Sequence, residues 1–235
     1  MQDKLYIIIP AYNEEKNIKS VIEEWYPVVE TIGNGSKIVI IDDGSKDNTY
    51  KVMTEMAESR PMLEAKSKPN SGHGATILWG YHYALGQGAD YVFQTDSDGQ
   101  TKASEFAAFW KLRDQYAMVI GHRRHREDGK SRVFVTKVLK LVIYLCFGVR
   151  VVDANTPFRL MQAEALRENI VLVPEDFFLT NVLISVIYTK KKLSVKYLPI
   201  TFRPRQGGTN SINMKRIWRI GKQAVRDFMS LRKEL

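Results

Sequence analysis

The sequence predicts an α/β protein in which helices flank a mostly parallel central sheet. Short apolar runs and longer amphipathic runs alternate through the first hundred residues, which is the order expected of successive β-α-β units. The runs "LYIII" and "KIVII" are almost wholly apolar. Strands that are covered on both faces of a parallel sheet have this composition, whereas half-exposed strands alternate apolar and polar residues.

The predicted elements follow one another along the first half of the chain. Residues 5–9 predict a first strand, and a helix is expected to begin near Asn13. "KIVII" predicts the second strand, and "DNTYKVMTEMAES" predicts a helix that Asp47 or Asn48 caps. A weaker strand over 63–65, a helix over "GHGATILWGYHYAL" and the strand "DYVFQT" come next.

The second half is less regular. It contains the basic loop "GHRRHREDGKSR", an apolar helix over 131–149, a helix over 175–188, a strand ending in "VKYLPITF" and a basic helix over 212–235. We expect one main domain, residues 1–211, with the helix 212–235 appended. The apolar helix contains Lys137 and Lys140 and falls short of the roughly 20 apolar residues that span a bilayer, so a simple transmembrane helix is not expected.

Composition and charge narrow the possible partners. The 235 residues are 44% hydrophobic and 26% charged, which is typical of a globular protein, and the formal net charge is +9. An excess of this size favours an anionic partner such as nucleic acid, an acidic membrane or a phosphorylated substrate. No nucleic-acid-binding motif is found, so nucleic acid is not expected. The single cysteine, Cys146, and the lack of a secretory signal favour a cytoplasmic protein.

Three predicted strands end in polar clusters: Asn13 to Glu15, Asp42 to Ser45, and Asp96, Asp98 and Gln100. In a parallel sheet these ends lie at one edge, where ligands bind in open α/β folds. The segment "NSGHGA", residues 70–75, opens a helix with glycines that allow a ligand to approach the backbone. It has the pattern of neither a P-loop nor a dinucleotide-binding fingerprint.

The motif "QTDSDGQ" has two interpretations. Asp96 and Asp98 would point to the same side if the strand continued through them, with Gln100 next on that side. Oxygen ligands of this kind suit Mg²⁺ or Mn²⁺. The same residues are also typical of a surface turn closed by Asx hydrogen bonds. The motif alone does not decide between a metal site and a turn.

The order of the motifs "IIIPAYNEEKNI", "IVIIDDGSKDNT", "NSGHGATILWGYHYALGQGADYVFQTDSDGQ" and "DANTPFRLM" resembles that of family 2 glycosyltransferases with the GT-A fold, a Rossmann-like fold of nucleotide-diphospho-sugar transferases. The likeness is greatest to the dolichyl-phosphate mannose synthase and polyprenyl-phosphate glycosyltransferase branch. It covers about the first 160 residues, and "LPITFRPRQGGTNS" extends it to about residue 211.

This resemblance implies a donor site for a nucleotide-diphosphate sugar. Pro10, Tyr12 and Glu14 would line the nucleotide pocket, with Asp42 or Asp43 at the base. The set implied to hold a Mg²⁺ or Mn²⁺ ion on the donor diphosphate is Asp96, Asp98 and Gln100. The implied reaction is an inverting displacement at the anomeric carbon.

The resemblance also implies a polyprenyl monophosphate acceptor whose phosphate is held by arginines. The matching positions are Arg123, Arg132 and Arg205, and guanidinium suits phosphate because its planar fork donates two parallel hydrogen bonds. The apolar helix 131–149 carries a narrow polar stripe. That pattern suits a membrane-interface helix, a buried core helix or a subunit seam. The helix 212–235 is basic and amphipathic, as expected at an anionic membrane surface.

Two features differ from those of the branch, and a third allows a different acceptor. Many relatives continue into transmembrane helices, so this chain is expected to act as a peripheral enzyme or with a partner membrane subunit. Thr156-Pro157 replaces the usual serine and glycine before Phe158-Arg159. Glu175-Asp176 is either a helix cap or a base motif, in which Asp176 would deprotonate a saccharide hydroxyl acceptor. A non-enzymatic, membrane-associated nucleotide-binding protein is the remaining alternative.

Overall fold

The computed structural model describes residues 3–123, 130–204 and 214–232, and a seven-stranded sheet lies at the centre of this described part. The strands are β1 (Leu5–Ala11), β2 (Lys37–Asp42), β3 (Leu63–Ser67), β4 (Tyr91–Gln94), β5 (Met118–Arg123), β6 (Arg159–Gln162) and β7 (Val195–Ile200). They are ordered β3-β2-β1-β4-β6-β5-β7 across the sheet. β6 is antiparallel to β4 and β5, and the other neighbouring pairs are parallel. The predicted mostly parallel sheet is confirmed.

Helices cover both faces of the sheet. They are α1 (Ile18–Ile32), α2 (Thr49–Ala57), α3 (His73–Gly86), α4 (Phe106–Trp110), α5 (Lys130–Phe147), α6 (Ala163–Ile170), α7 (Thr180–Lys190) and α8 (Met214–Leu231). A 3₁₀ turn, Ala103–Glu105, leads into α4. None of the helices in the described ranges combines the length and the apolarity needed to cross a bilayer.

Alternate residues of the central strands lie in two separate core clusters. Ile7 and Ile9 of β1 lie in the cluster that contains Trp25 of α1. Ile8, between them, lies in the cluster that contains Ile77 of α3. Consecutive side chains of a strand point to opposite faces, so a strand buried between two helical layers needs an unbroken apolar run. This explains the composition from which the fold class was predicted.

The predicted start of the first helix near Asn13 is wrong. Asn13 has φ 55°, in the left-handed region, and α1 begins only at Ile18. The carbonyl of Glu14 accepts hydrogen bonds from the amides of Asn17 and Ile18, both at 2.9 Å. Residues 12–17 therefore form a loop over the end of β1, which places Tyr12 and Glu14 at the sheet edge.

The predicted helix over 175–188 also begins later than expected. Its N-cap position is Leu179 and α7 starts at Thr180, because the amide of Phe177 closes a turn on the carbonyl of Pro174 at 3.1 Å. Asp176 is exposed in that turn. Of the two alternatives for Asp176, the helix cap is therefore wrong.

The sequence does not predict β5 and β6 as strands. Gly121 to Arg123, assigned to the basic loop, extend β5, which pairs with β7 from Met118 to Arg123. β6 follows directly after "DANTPF" and is held between β4 and β5. Both strands depend on partners far away in the chain, so local composition is a poor guide to them.

Candidate active site

The carboxyl ends of β2, β1 and β4 lie next to one another. β1 pairs in parallel with β2 on one side and with β4 on the other, so the three predicted polar clusters meet at one edge, as expected. The hydroxyl of Ser97 donates to the carbonyl of Pro10 at 2.8 Å and joins the segment after β4 to β1. This arrangement agrees with the sequence prediction that the polar clusters at the strand ends lie close together.

A cleft of about 550 Å³ opens at this edge. Six of the predicted site residues line it: Pro10, Tyr12, Glu14, Asp43, Asp96 and Asp98. Residues from the loop before α3 and from the start of that helix line the opposite side: Asn70, Gly72, His73 and Thr76.

The two neighbouring aspartates at the end of β2 differ in position. Asp42 is buried, and its carboxylate accepts hydrogen bonds from the amide of Ser45 at 3.3 Å and from the hydroxyl of Ser67 at 3.2 Å. Asp43 lines the cleft instead. Side chains alternate at a strand end, so only one of two adjacent residues can point toward the ligand side.

Asp43 fastens the glycine-containing loop to the sheet edge. Its carboxylate accepts hydrogen bonds from the amides of Ser71 and Gly72, both at 2.9 Å, and pairs with the ammonium of Lys68. Burial by itself would raise the pKa of Asp43, but the hydrogen bonds from Lys68 and Ser71 outweigh it and hold the pKa below 3.8. Asp43 is therefore ionised at neutral pH, and its hydrogen bonds hold the loop that precedes α3 in place.

Asp96 and Asp98 reach the cleft through a turn and not through a continued strand. β4 ends at Gln94, Gly99 has φ 70°, and the amide of Gln100 donates to Asp98 Oδ1 at 3.1 Å. The condition under which the two side chains would align as alternate residues of a strand is therefore not met. The Asx hydrogen bond of the turn interpretation is present, and both carboxylates nevertheless line the cleft.

Gln100 lies behind this turn. Its side-chain nitrogen donates to the carbonyl of Arg203 at 3.0 Å, and its own carbonyl accepts from the amide of Arg203 at 2.8 Å. Arg203 in turn pairs with Glu24 of α1 and donates to the carbonyl of Thr101 at 2.6 Å. Gln100 is absent from the residues that line the cleft, so its assignment as a metal ligand stays a prediction.

His73 is a cleft residue that the sequence reasoning missed. Its Nε2 lies 3.1 Å from Asp96 Oδ1, and the half-exposed imidazole is the first residue of α3. Desolvation alone would lower the pKa of His73, but Asp96, followed by Asp98 and Asp43, raises it. The signal that could have found His73 is a histidine at the start of a helix that faces an Asp-x-Asp motif.

The charges of the cleft suit a cation. Among the described residues that line it, four carry carboxylates (Glu14, Asp43, Asp96 and Asp98), and His73 alone can carry a positive charge. The described part of the chain has no group of three or more His, Cys, Asp or Glu side chains arranged around one point. Mg²⁺ typically binds one or two carboxylates and completes its shell with substrate phosphates and water. Asp96 and Asp98 fit an ion of that kind.

Comparison with known proteins decides the family. The model of glycosyl transferase family 2 matches residues 6–170. The chain belongs to glycosyl transferase family 2. This family 2 enzyme is 31% identical over 221 residues to the UDP-N-acetylglucosamine–dolichyl-phosphate N-acetylglucosaminyltransferase of Methanococcus voltae, covering 85% of the chain and 86% of that relative.

Other relatives of this glycosyltransferase carry related names. A dolichyl-phosphate beta-glucosyltransferase of Trichomonas vaginalis is 30% identical over 224 residues, covering 88% of the chain and 68% of the relative. An undecaprenyl-phosphate 4-deoxy-4-formamido-L-arabinose transferase of Pectobacterium atrosepticum is 28% identical over 156 residues. That match covers 65% of the chain and 47% of the relative. The resemblance noted in the sequence is confirmed, and the chain is an enzyme of the nucleotide-sugar-dependent class.

A solved structure confirms the fold. Glucosyl-3-phosphoglycerate synthase from Mycobacterium tuberculosis, crystallised with Mn²⁺, UDP and glucosyl-3-phosphoglycerate, superposes with a TM-score of 0.66 at 16% identity. The match covers 97% of this glycosyltransferase and 80% of the solved chain. The predicted GT-A fold is therefore confirmed.

The residues expected at the acceptor lie at the border of the described structure. Arg123 is the last residue of β5 and Arg132 lies in the first turn of α5. Arg205 lies outside the described residues. Their predicted role at the acceptor phosphate stays a prediction.

Another arginine of the glycosyltransferase is structural. Arg159 is completely buried, and its guanidinium donates to the carbonyls of Ala154, Thr156 and Asn181 at 2.8 to 3.2 Å. Burial lowers the pKa of Arg159. These bonds join the segment before β6 to α7, so Arg159 fixes the backbone around Thr156-Pro157, where the sequence departs from the branch.

Proposed function

We propose that this glycosyltransferase moves one sugar from a nucleotide-diphosphate sugar to a polyprenyl phosphate, with inversion at the anomeric carbon. The observation that carries the proposal is the cleft in which Asp96 and Asp98 face the start of α3, beyond the carboxyl ends of three parallel strands. Ligands of open α/β sheets bind at this position.

The donor side of the cleft has two parts. Pro10, Tyr12, Glu14 and Asp43 would surround the nucleoside, with the ionised Asp43 as a fixed hydrogen-bond acceptor. The start of α3 offers backbone amides and the positive end of the helix dipole to a diphosphate. The diphosphate then lies between α3 and the two aspartates of the Asp-x-Asp turn.

Asp96 and Asp98, with Gln100 as the predicted third ligand, would hold a divalent cation, Mg²⁺ or Mn²⁺. When bound, such an ion supplies Lewis-acid neutralisation of the charge on the departing nucleoside diphosphate. The charge of the cleft supports this assignment, because Lys68 already compensates Asp43, whereas a diphosphate beside Asp96 and Asp98 needs a further cation. His73, in contact with Asp96, would keep that carboxylate in one orientation.

The names of the relatives support the acceptor. Dolichyl phosphate and undecaprenyl phosphate appear in the names of enzymes similar to this chain. A phosphate monoester, with a second pKa of about 6, is already anionic at neutral pH and needs no protein base. Arg123, Arg132 and Arg205 would bind it, in a catalytic domain of residues 1–211 that meets the cytoplasmic face of a membrane. The helix 212–235 would add a basic contact there.

A saccharide acceptor is the second candidate. Asp176 is exposed and does not cap α7, which removes the structural role that competed with its use as a base. The turn that carries Asp176 touches α3 at the edge of the cleft, since a Cβ on Gly74 would lie 2.4 Å from the carbonyl oxygen of Phe177.

A transfer assay separates these candidates. Radiolabelled nucleotide sugars are supplied with Mg²⁺ or Mn²⁺, with and without polyprenyl phosphate, and the products are extracted into organic solvent. Label in the organic phase that requires polyprenyl phosphate is expected, and its absence with every donor overturns the proposed acceptor. Asp98→Ala should abolish transfer without loss of the fold, whereas Asp176→Ala should leave lipid transfer unchanged.

A further inference from the structure

The segment that follows β7 is joined to the Asp-x-Asp turn by several hydrogen bonds. The amide of Arg203 donates to the carbonyl of Gln100 at 2.8 Å, and the side-chain nitrogen of Gln100 donates to the carbonyl of Arg203 at 3.0 Å. The amide of Thr201 donates to both carboxylate oxygens of Glu105 at 3.0 Å. Two segments that are distant in the sequence therefore lie side by side, and one of them carries the predicted metal ligands.

The side chain of Arg203 anchors this junction to α1. Its Nη2 donates to the two carboxylate oxygens of Glu24 at 2.6 and 2.5 Å and to the carbonyl of Thr101 at 2.6 Å. The same carboxylate accepts the amide of Ala103 at 3.1 Å. Hydrogen bonds between charged groups are about twice as strong as those between neutral groups. The pair of Glu24 and Arg203 therefore fixes the backbone that follows the Asp-x-Asp turn.

The junction reaches the proposed metal ligands through Gln100. The amide of Gln100 donates to Asp98 Oδ1 at 3.1 Å, and the carbonyl and the side chain of Gln100 are both held by the backbone of Arg203. The bond from Gln100 Nε2 leaves Oε1 as the side-chain atom that can bind a cation. A displacement of residue 203 would therefore be passed to two of the three predicted ligands, Asp98 and Gln100.

We propose that Arg203 is a positioning residue for the divalent cation. With Glu24 it holds the Asp-x-Asp turn in the geometry that binds Mg²⁺ or Mn²⁺, without touching the ion. The inference rests on the metal site of the proposed function. Residues that orient metal ligands in this way typically contribute about 10- to 100-fold to metal affinity.

The direction of the effect separates positioning from charge. Arg203→Met removes a positive charge, so charge alone would strengthen the binding of a cation. Glu24→Gln removes a negative charge, so charge alone would weaken it. Loss of positioning weakens cation binding in both variants. We expect Arg203→Met to weaken Mn²⁺ binding by about 10-fold or more. Glu24→Gln should weaken it less, because the amide oxygen can still accept a hydrogen bond from Arg203.

Electron paramagnetic resonance measures Mn²⁺ binding without any transfer reaction, because the sharp signal of Mn²⁺ in solution is lost when the ion is bound. The full chain is titrated with Mn²⁺ in the presence of saturating uridine diphosphate and, separately, guanosine diphosphate. Urea unfolding followed by circular dichroism checks the fold of each variant.

The ion pair of Arg113 with Asp3 provides the matched controls. Its atoms lie 2.7 Å apart, and its side chains are 26% and 29% exposed, against 29% and 32% for Arg203 and Glu24. Asp3 precedes β1, at the opposite end of that strand from the cleft. Arg113→Met and Asp3→Asn make the same changes of charge as the two test variants and should leave Mn²⁺ affinity unchanged.

Three results would overturn the inference. The first is equal Mn²⁺ affinity of the wild type and Arg203→Met. The second is tighter binding by Arg203→Met, which would mean that only the charge acts. The third is an equal loss in Arg113→Met, which would mean a general loss of order. If Arg203→Met is unfolded, Glu24→Gln is compared with Asp3→Asn, and equal affinities of these two overturn the inference.

Failure of the proposed function gives a different result. A wild-type chain that binds no Mn²⁺ with either diphosphate would overturn the metal site itself, and the inference with it. Normal Mn²⁺ binding by the wild type together with wild-type binding by Arg203→Met would remove only the role of Arg203.

Discussion

Gly74→Ala should damage the active site by steric displacement alone. Gly74 is the second residue of α3, and an added Cβ would lie 2.4 Å from the carbonyl oxygen of Phe177 and 2.5 Å from that of Phe178. Both obstacles are backbone atoms, so no side-chain rotation relieves the contact. Either the start of α3 or the turn before α7 must move.

The size of the movement follows from these distances. An ordinary contact of a Cβ begins near 3.4 Å, so the two segments must separate by about 1 Å. Overpacking of this kind typically costs about 1–3 kcal/mol of stability. The displaced segment begins with His73, which contacts Asp96. A misplacement of about 1 Å at a catalytic site can cost on the order of 100-fold in rate, so we expect a fall in kcat/KM of that order.

The assay pairs urea unfolding, followed by circular dichroism, with the transfer assay at saturating metal. Gly86→Ala is the control, because Gly86 is the last residue of the same helix and its added Cβ meets no atom within 4 Å. Gly86→Ala should keep full activity and gain up to about 1 kcal/mol. If Gly74→Ala retains both the stability and the kcat/KM of the wild type, the tight packing of α3 on the turn before α7 is not what positions the cleft.

Three more predictions concern charged groups. The pKa of Asp43 is lowered in the folded protein, partly by the ion pair with Lys68, so the stability that ionised Asp43 contributes is present above pH 3.8 and is lost as the pH falls through the lowered pKa. The difference in unfolding free energy between wild type and Asp43→Asn, measured by urea titration, should therefore shrink below pH 3.8. A difference that stays constant with pH would contradict the lowered pKa. His73→Ala should weaken Mn²⁺ binding, measured by calorimetry, by about 10-fold or more. The control His82→Ala, at an exposed position of the same helix, should leave Mn²⁺ binding unchanged. Equal Mn²⁺ affinities of the two variants would exclude a role of His73 in orienting Asp96. Arg159→Leu removes the guanidinium donor from the buried carbonyl of Thr156, whereas the hydroxyl of Ser185 still lies within 3.2 Å of the carbonyls of Ala154 and Asn181. At about 1–3 kcal/mol for an unsatisfied buried group, the variant should lose at least about 1 kcal/mol in urea unfolding, and an unchanged stability would mean that water replaces the guanidinium.

The first half of the fold could be predicted because its strands are buried on both faces. Residues such as Ile7, Ile8 and Ile9 of β1 have no exposed side, so the run is apolar throughout and is easily found in the sequence. The parallel order then places the strand ends together without any knowledge of side-chain contacts. The Asp-x-Asp motif and the aspartates after β2 could be grouped for this reason alone.

The parts that could not be predicted depend on contacts between distant residues. Thr180 begins α7, and its hydroxyl donates to the carbonyl of Gly74, 106 residues away, at 2.9 Å. Asp42 and Asp43 are chemically identical in the sequence, and their different partners at a distant strand end, Ser67 for Asp42 and Lys68 for Asp43, are visible only in the fold. His73 becomes a site residue only because α3 starts opposite Asp96.

The interpretations of "QTDSDGQ" as a turn and as a metal site do not exclude each other. Asp98 Oδ1 accepts the amide of Gln100, and a carboxylate has about four acceptor positions on its two oxygens, so this bond does not exhaust the capacity of Asp98. The turn itself takes Asp96 and Asp98 out of the direction of β4 and into the cleft. A carboxylate held by its own backbone also loses less conformational freedom when it binds an ion. The Asx bond that suggested a plain surface turn therefore prepares Asp98 for the proposed metal.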